Sequence, residues 1–325
     1  MPQLLSRYRP PLGFGPGQGH RQTWVGAILR QLPPRTPYRE RITTQDEDFL
    51  DLDWGPPRHS RRVVVISHGL EGSSRAGYVQ GMARAFLKRD WDVVAWNCRS
   101  CSGVPNRQLR FYHSGASEDL RTVVRHVLAL GRFNQMALVG FSLGGNLTLK
   151  FLGEEGASID SRITRAVALS APCDLEVASN RIDLPENKLY RSAFLHSLKR
   201  KFEAKALLYP GQAALDVTDW KSIRRFQDFE ARYMAPLHGF TGAEDYWEQA
   251  SSRGYLDRIR IPSLLVNAVD DPFLADGCYP VDEAEANPHI HLEMPEAGGH
   301  VGFVTFWRKG EFWSESRAAE WAEGG

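Results

Sequence analysis

The hydrophobic and polar positions of the chain follow different patterns before and after residue 60. Upstream, Arg39–Gln45 and Phe49–Trp54 nearly alternate between apolar and polar residues, with an acidic turn between them. Because alternation is typical of strands with one buried face, this part predicts an antiparallel hairpin. Residues 1–37, which are rich in glycine, proline and arginine, predict an irregular N-terminal arm.

From residue 63 onward, short continuous apolar runs alternate with segments of helical periodicity. The predicted strands are residues 63–67, 92–97, 135–141 and 163–171, and the predicted helices are residues 78–89, 117–130 and 144–152. Continuously apolar strands are covered on both faces. The pattern therefore predicts an α/β fold with a mostly parallel central sheet flanked by helices.

Residues 173–257 interrupt this alternation. They predict mostly helices, rich in basic and aromatic residues, which we interpret as a helical cap inserted into a core of residues 38–172 and 258–325. The core resumes at residues 261–273 and 289–303, and a last helix is predicted at 317–323. The aromatic residues of the cap favour an apolar pocket, although docking of the cap on the core would need the same residues.

Composition narrows the possible functions. The 325 residues are 42% hydrophobic and 24% charged, with a net charge of +1, which argues against binding to nucleic acid. The N-terminal residues contain no apolar stretch long enough for a signal peptide or a transmembrane segment, so we expect a cytoplasmic protein. Cys98 and Cys101 form a C-x-x-C pair without a second pair, so we expect buried thiols and neither a metal nor a cofactor.

Ser142 lies in the pentapeptide G-F-S-L-G, between a predicted strand and a predicted helix. A strand that turns sharply into a helix can hold a serine oxygen above the edge of a sheet, and Gly140 and Gly144 leave room for that turn. A serine hydroxyl needs a base, and in this arrangement an acid and then a histidine follow along the chain. His300, in a glycine-rich loop after the last predicted strand, fits the base.

The acid and the oxyanion hole are expected in the loops after neighbouring strands. Asp270 and Asp271 both follow a predicted strand, and either could orient His300. The backbone N–H groups of Leu143 and Leu70 are the candidate donors to an oxyanion.

Polar residues of the same loops could line a pocket or brace the loops by hydrogen bonds. These candidates are His68, Asn97, Arg99, Tyr112 and His113. For His68 we favour the bracing role.

The motifs HGLEGS, NCRSCSGVPN, YHSGASEDL, GFSLGGN and NAVDDPF together resemble the YheT-like branch of the α/β-hydrolase family. That branch also contains eukaryotic abhydrolase-domain lipases and fungal ethanol acyltransferases. The resemblance implies a carboxylic ester hydrolase that acts on a small-molecule ester. It also favours Asp271 as the acid, since Asp271 and Pro272 match the D-P of the family pattern. Ser100 stands where the family commonly has glycine.

Three functions remain open at this point. The first is a serine hydrolase that cleaves carboxylic esters through an acyl-enzyme on Ser142, with Asp271 and His300. The second is an acyltransferase that passes the same acyl group to an alcohol. The third is a ligand-binding module without catalysis, which the complete set of three residues disfavours.

Overall fold

A computed structural model describes residues 3–306 and 310–324 of the chain. Nine strands form one sheet in the order β1-β9-β8-β7-β6-β4-β5-β3-β2. Their bounds are β1 Gln3–Leu4, β2 Tyr38–Thr43, β3 Phe49–Trp54, β4 Arg62–Ser67, β5 Asp92–Asn97, β6 Gln135–Phe141, β7 Ile163–Leu169, β8 Ser263–Val266 and β9 Ile290–Glu293. Only the β2–β3 and β3–β5 pairs among these described strands are antiparallel, so the predicted mostly parallel sheet and the hairpin are confirmed.

Eleven α-helices surround or extend this sheet within the described residues. They are α1 Gly19–Thr23, α2 Gly77–Leu87, α3 Ser117–Ala129, α4 Leu143–Glu155, α5 Leu175–Ile182, α6 Lys188–Leu208, α7 Phe226–Phe229, α8 Ala235–Leu237, α9 Ala243–Ala250, α10 Val281–Ala286 and α11 Trp313–Ala322. The predicted helices of the core begin and end within a few residues of these bounds. The predicted last helix begins earlier, at Trp313.

Strand β4 shows why the strands lack alternation in sequence. Val63 and Val65 pack in one hydrophobic cluster with residues of α3 and α4. Val64 and Ile66 point to the opposite face and pack in a second cluster with residues of α2 and α11. Both faces of the sheet are covered, so every position of the strand is apolar.

The chain between β7 and β8 leaves the sheet and forms α5 to α9. These helices enclose a cluster of aromatic residues of their own, centred on Phe202 and Phe229, which are 1% and 0% exposed. We call residues 173–257 the cap. The division of the chain into arm, core and cap stays a prediction.

The N-terminal arm is more ordered than its composition predicts. Strand β1 pairs with β9, and α1 continues into a π-helical turn at Trp24–Leu29. The Tyr8 hydroxyl donates to the Val304 carbonyl oxygen at 2.9 Å. These elements are too short to show a period, and they are stabilised by distant residues, so sequence pattern alone cannot reveal them.

Candidate active site

Ser142 lies at a turn between β6 and α4 that is one residue long. Its φ is 53° and its ψ is −121°, a conformation that side chains with a Cβ rarely adopt. A Cβ on Gly140 would lie 2.1 Å from the Gly144 carbonyl oxygen, and a Cβ on Gly144 would lie 2.5 Å from the Ser67 carbonyl oxygen, so both positions must lack side chains for the turn to close. The turn holds the Ser142 side chain at the carboxyl end of a central strand, and the strain there costs about 1–3 kcal/mol.

His300 and Asp271 follow β9 and β8 at the same edge of the sheet. The Ser142 hydroxyl lies 2.8 Å from Nε2 of His300. Nδ1 of His300 lies 2.9 Å from Oδ2 of Asp271 and 3.1 Å from Oδ1. Asp271 is 2% exposed, and its Oδ1 also accepts from the Phe273 N–H at 2.8 Å. A proton on Nδ1 leaves Nε2 free to accept the Ser142 proton.

Asp270 supports the histidine loop rather than the histidine ring. Its Oδ1 accepts from the Gly299 N–H at 2.8 Å, and burial raises the pKa of its carboxyl. Gly299 has a φ of 57°, and a Cβ there would lie 2.3 Å from the Gly19 carbonyl oxygen. The loop therefore needs glycine to pass against α1.

Two residues that sequence analysis missed hold the backbone around Ser142. The Thr23 Oγ1 accepts from the His300 N–H at 2.8 Å. The Tyr78 hydroxyl accepts from the Gly69 N–H at 3.0 Å. Thr23 lies far from His300 in sequence, whereas Tyr78 lies only 9 residues after Gly69, and no local pattern marks either of them.

Leu70 and Leu143 are the residues predicted to form an oxyanion hole. Both line the same cavity as Ser142. A Cβ on Gly69 would lie 3.1 Å from the Ser142 Cβ, which shows how closely the loop after β4 passes the serine. Within residues 3–306 and 310–324, neither the Leu70 N–H nor the Leu143 N–H donates to a protein acceptor. Both groups are therefore available to a ligand.

The loop that carries Leu70 is tied to the cap through Glu71. Lys201 of α6 lies 2.7 Å from Oε1 of Glu71, and the Tyr112 hydroxyl donates to the same oxygen at 2.7 Å. The Ser197 hydroxyl, also on α6, donates to Oε2. Glu71 is a non-glycine residue with a φ of 55°. These contacts fix the strained loop beneath the cap.

Ser142 and His300 open into a cavity of about 480 Å³ with a mostly apolar wall. We call the strand-end residues 69–71, 142–143 and 300–301 its floor, and the cap residues 178–182 and 226–234 its roof. Tyr112 and His113, two of the residues that could line a pocket according to the sequence, do line this cavity. Nδ1 of His113 accepts from the Gly115 N–H, and burial lowers the pKa of this histidine well below its usual range.

His68, Asn97 and Arg99 do not line the cavity and instead brace loops, which corrects the pocket prediction for Asn97 and Arg99 and agrees with the role favoured for His68. The His68 Nε2 accepts from the Cys98 N–H at 3.1 Å. The Asn97 side chain accepts from the Ser74 N–H and donates to the Asp51 carbonyl oxygen, both at 3.0 Å.

Arg99 is 2% exposed and its guanidinium contacts three carboxylates. They belong to Asp46, Asp48 and Asp119, at 2.8, 2.9 and 2.8 Å. A buried guanidinium needs such partners, which explains why the side chain turns away from the cavity.

The cysteine pair is not part of this site. Cys98 and Cys101 are buried free thiols, as expected, and Lys201 lies 3.1 Å from the Cys101 sulfur. The residues that the structure describes contain no group of three or more histidine, cysteine, aspartate or glutamate side chains placed to hold a metal ion. Nor does any helix in this part of the chain have the length and apolar character needed to cross a bilayer.

Comparisons with known proteins agree with this architecture. The alpha/beta hydrolase fold family matches residues 62–306. The chain is 37% identical to YheT of Escherichia coli (strain K12) over 322 residues, which cover 97% of this chain and 93% of that protein. It is 28% identical to Phospholipase ABHD3 of Homo sapiens over 313 residues, or 93% of this chain and 75% of the relative.

A solved structure supports the fold independently. The esterase Pf2001 of Pyrococcus furiosus superposes with a TM-score of 0.58 and 19% identity, covering 92% of this chain and 96% of that one. At this identity the likeness concerns the fold alone. Taken with the sequence relatives, it leads to one conclusion: the chain belongs to the YheT-like branch of the alpha/beta hydrolases, a family of the esterase and lipase type.

Proposed function

We propose that this protein hydrolyses carboxylic esters through an acyl-enzyme formed on Ser142. The observation that carries the proposal is the continuous hydrogen-bonded series from Asp271 through His300 to Ser142, which ends at the cavity. The series supplies a nucleophile, a base within hydrogen-bond distance and an acid that orients the base.

In the first half of the reaction, Oγ of Ser142 attacks the ester carbonyl carbon while Nε2 of His300 takes the hydroxyl proton. The carbonyl oxygen becomes negatively charged and accepts from the N–H groups of Leu70 and Leu143. The C–O bond to the alcohol then breaks, and His300 returns the proton to the leaving oxygen. Asp271 holds the ring of His300 in place and stabilises the imidazolium.

In the second half, water replaces the alcohol. His300 takes a proton from the water as its oxygen attacks the acyl carbon, and the same two N–H groups stabilise the second oxyanion. The bond to Ser142 then breaks, Oγ regains its proton, and a carboxylic acid is released.

The cavity favours an ester with an apolar acyl chain. Its wall includes Leu175, Ile182, Phe194, Phe226 and Phe273, which offer few polar contacts. Relatives are named Phospholipase ABHD3 and Monoacylglycerol lipase, names of enzymes for acyl lipids. An apolar chain in this cavity would gain roughly 0.8 kcal/mol for each buried methylene group.

Labelling with a fluorophosphonate probe tests the proposal. We expect the probe to modify Ser142, and Ser142→Ala to lower kcat for p-nitrophenyl esters on the order of 10⁶-fold. Ser158→Ala is the matched control, because Ser158 is exposed and donates only to the Glu155 carbonyl oxygen.

Absence of labelling at Ser142, or esterase activity retained by Ser142→Ala, would reject the proposal. Formation of ethyl ester in place of acid when ethanol is added would instead identify an acyltransferase.

A further inference from the structure

The roof of the cavity contains a carboxyl group that the proposed reaction does not use. Glu230 is 5% exposed and begins the π-helical segment Glu230–Met234. It lines the same cavity as Ser142 and His300. A carboxyl group buried in an apolar wall is costly unless it has partners, so its contacts show what it can do.

Both protein donors to Glu230 reach one oxygen. The Ser179 hydroxyl donates to Oε2 at 2.5 Å, and the Trp247 Nε1–H donates to Oε2 at 3.0 Å. In the described part of the chain, no side chain or backbone N–H donates to Oε1, and no lysine, arginine or histidine forms an ion pair with this carboxyl. Some polar atoms of the described residues are fully occluded and lack a partner, and Oε1 is not one of them. Oε1 is therefore the oxygen available to a ligand.

Burial favours the protonated form of this carboxyl. Burial raises the pKa of Glu230 to about 8, and the negative charge of Asp183, at the end of α5, adds to the rise. Because Oε2 accepts two hydrogen bonds, it is the carbonyl oxygen of the neutral acid, and the proton resides on Oε1. Oε1–H is then a donor that can meet an acceptor in the cavity that Glu230 lines.

The neighbouring titratable groups leave this state in place. Tyr246 of α9 faces Glu230, and its hydroxyl accepts from the Ser114 N–H at 3.2 Å. Both ring nitrogens of His238 lie near backbone carbonyl oxygens. Arg232, on the same segment as Glu230, pairs with Asp219 at 2.8 Å instead. His113 lines the same cavity and stays neutral because burial lowers its pKa.

We propose that Oε1–H of Glu230 donates to a second, uncharged oxygen of the ester substrate, remote from the reacting carbonyl. The oxygen belongs to an ether, hydroxyl or carbonyl group carried by an otherwise apolar ester. Glu230 is then a specificity-determining residue of the cavity roof. This inference rests on the proposed esterase function and refines its substrate class.

The inference predicts different kcat/KM values for two substrates of equal length, one of which has an oxygen where the other has a methylene group. An oxygen within an apolar cavity is disfavoured relative to a methylene group unless a donor meets it. Oε1–H supplies that donor at one distance along the chain only. One net hydrogen bond corresponds to about three- to tenfold in kcat/KM.

An ether scan of ester substrates tests the inference. In each of two series of esters, one methylene group at a time is replaced by oxygen, and each ester is compared with its all-carbon parent. The first series varies the acyl chain of p-nitrophenyl esters, and the second varies the alcohol of alkyl esters. We expect one oxygen position to raise kcat/KM about three- to tenfold at pH 7. A scan in which every oxygen lowers kcat/KM would overturn the inference.

Two variants of equal length isolate the donor. Glu230→Gln keeps an N–H donor directed into the cavity while its carbonyl oxygen accepts from Ser179 and Trp247, so the ether preference should persist. Glu230→Met has no donor. The ratio of kcat/KM for the ether ester to kcat/KM for its parent should therefore fall to the value expected for an oxygen that meets no donor in an apolar cavity. The same preference in Glu230→Met as in the wild type would refute the assignment.

The wild-type protein gives a test that requires no variant. As the pH rises through about 8, Glu230 ionises and loses its donor, so the ratio of kcat/KM for the paired esters should fall between about pH 7 and pH 9. Any effect of pH on the steps that both esters share acts on them equally and cancels in the ratio. A ratio that stays constant over this range would contradict the inference.

The outcomes separate this inference from the proposed function. If neither series is hydrolysed above a Ser142→Ala blank, the esterase proposal itself fails. If all parent esters are hydrolysed but no ether position is preferred, only the role of Glu230 fails.

Discussion

The floor and the roof of the cavity are built in different ways. On the floor, three non-glycine residues have positive φ: Glu71 at 55°, Ser142 at 53° and Val301 at 60°. In the cap, residues 173–257, the positive φ values belong only to the glycines Gly211 and Gly239. The floor therefore stores backbone strain to place individual atoms, whereas the roof relies on packed rings. Turnover should depend on single contacts in the floor, and stability should depend on volume in the roof.

The largest expected effect tests the floor. Asp271→Asn removes the charge that orients His300 and should lower kcat about 10⁴-fold, because the amide stabilises neither the required tautomer nor the imidazolium. Steady-state hydrolysis of a p-nitrophenyl ester measures the loss.

Its neighbour is the matched control. Asp270→Asn keeps an oxygen that can accept from the Gly299 N–H, so kcat should change less than about threefold. Equal losses in the two variants would mean that the acid is not specifically Asp271.

This pair of aspartates also shows what the sequence can predict. Ser142, Asp271 and His300 each follow a strand of a parallel sheet, so strand order alone predicts one shared edge, and the structure brings the three side chains into hydrogen-bond distance. Asp270 and Asp271 both follow β8, so position cannot separate them. Only the direction of each side chain, which depends on the folded loop, does so.

The errors have a physical pattern as well. Asn97 and Arg99 follow β5 at the same edge of the sheet, which made them pocket candidates. Arg99 instead contacts carboxylates from the β2–β3 turn and from α3, because a buried charge needs opposite charges next to it. Such partners lie far away in sequence. Thr23 and Glu230 were missed for the same reason, since their contacts come from distant segments.

The second prediction tests the roof. Phe229 is 0% exposed, and its ring packs 5.8 Å from those of Phe202 and Trp220. Phe229→Ala should lower the free energy of unfolding by about 3–5 kcal/mol, as measured by urea denaturation. Turnover of a short ester by the remaining folded protein should stay within about tenfold of wild type, because the floor is unchanged.

An exposed apolar residue of the cap provides the comparison. Leu207, on α6, is 85% exposed, and Leu207→Ala should change the free energy of unfolding by no more than about 0.5 kcal/mol. A loss of activity in Phe229→Ala as large as that in Asp271→Asn would show that floor and roof are not separable.

The smallest expected effect concerns the contact that joins the two regions. Lys201→Met removes the cation next to Glu71 while keeping most of the side-chain volume. The loop that carries the Leu70 N–H should become less well fixed, and kcat should fall about tenfold.

Lys199→Met is the matched control on the same helix. Lys199 pairs with Glu203 at the surface, and the two side chains are 38% and 45% exposed, so its loss should leave kcat unchanged. Equal kcat values for both variants would mean that the cap does not help to hold the loop that carries the Leu70 N–H.

The hydrogen bond from the His300 N–H to Thr23 joins residues that are 277 positions apart in the chain. During synthesis, the ribosome delivers the serine turn long before the histidine loop. A nascent chain therefore carries the proposed nucleophile before the proposed base, and the two side chains can meet only after the loop of His300 has been made and has docked on α1.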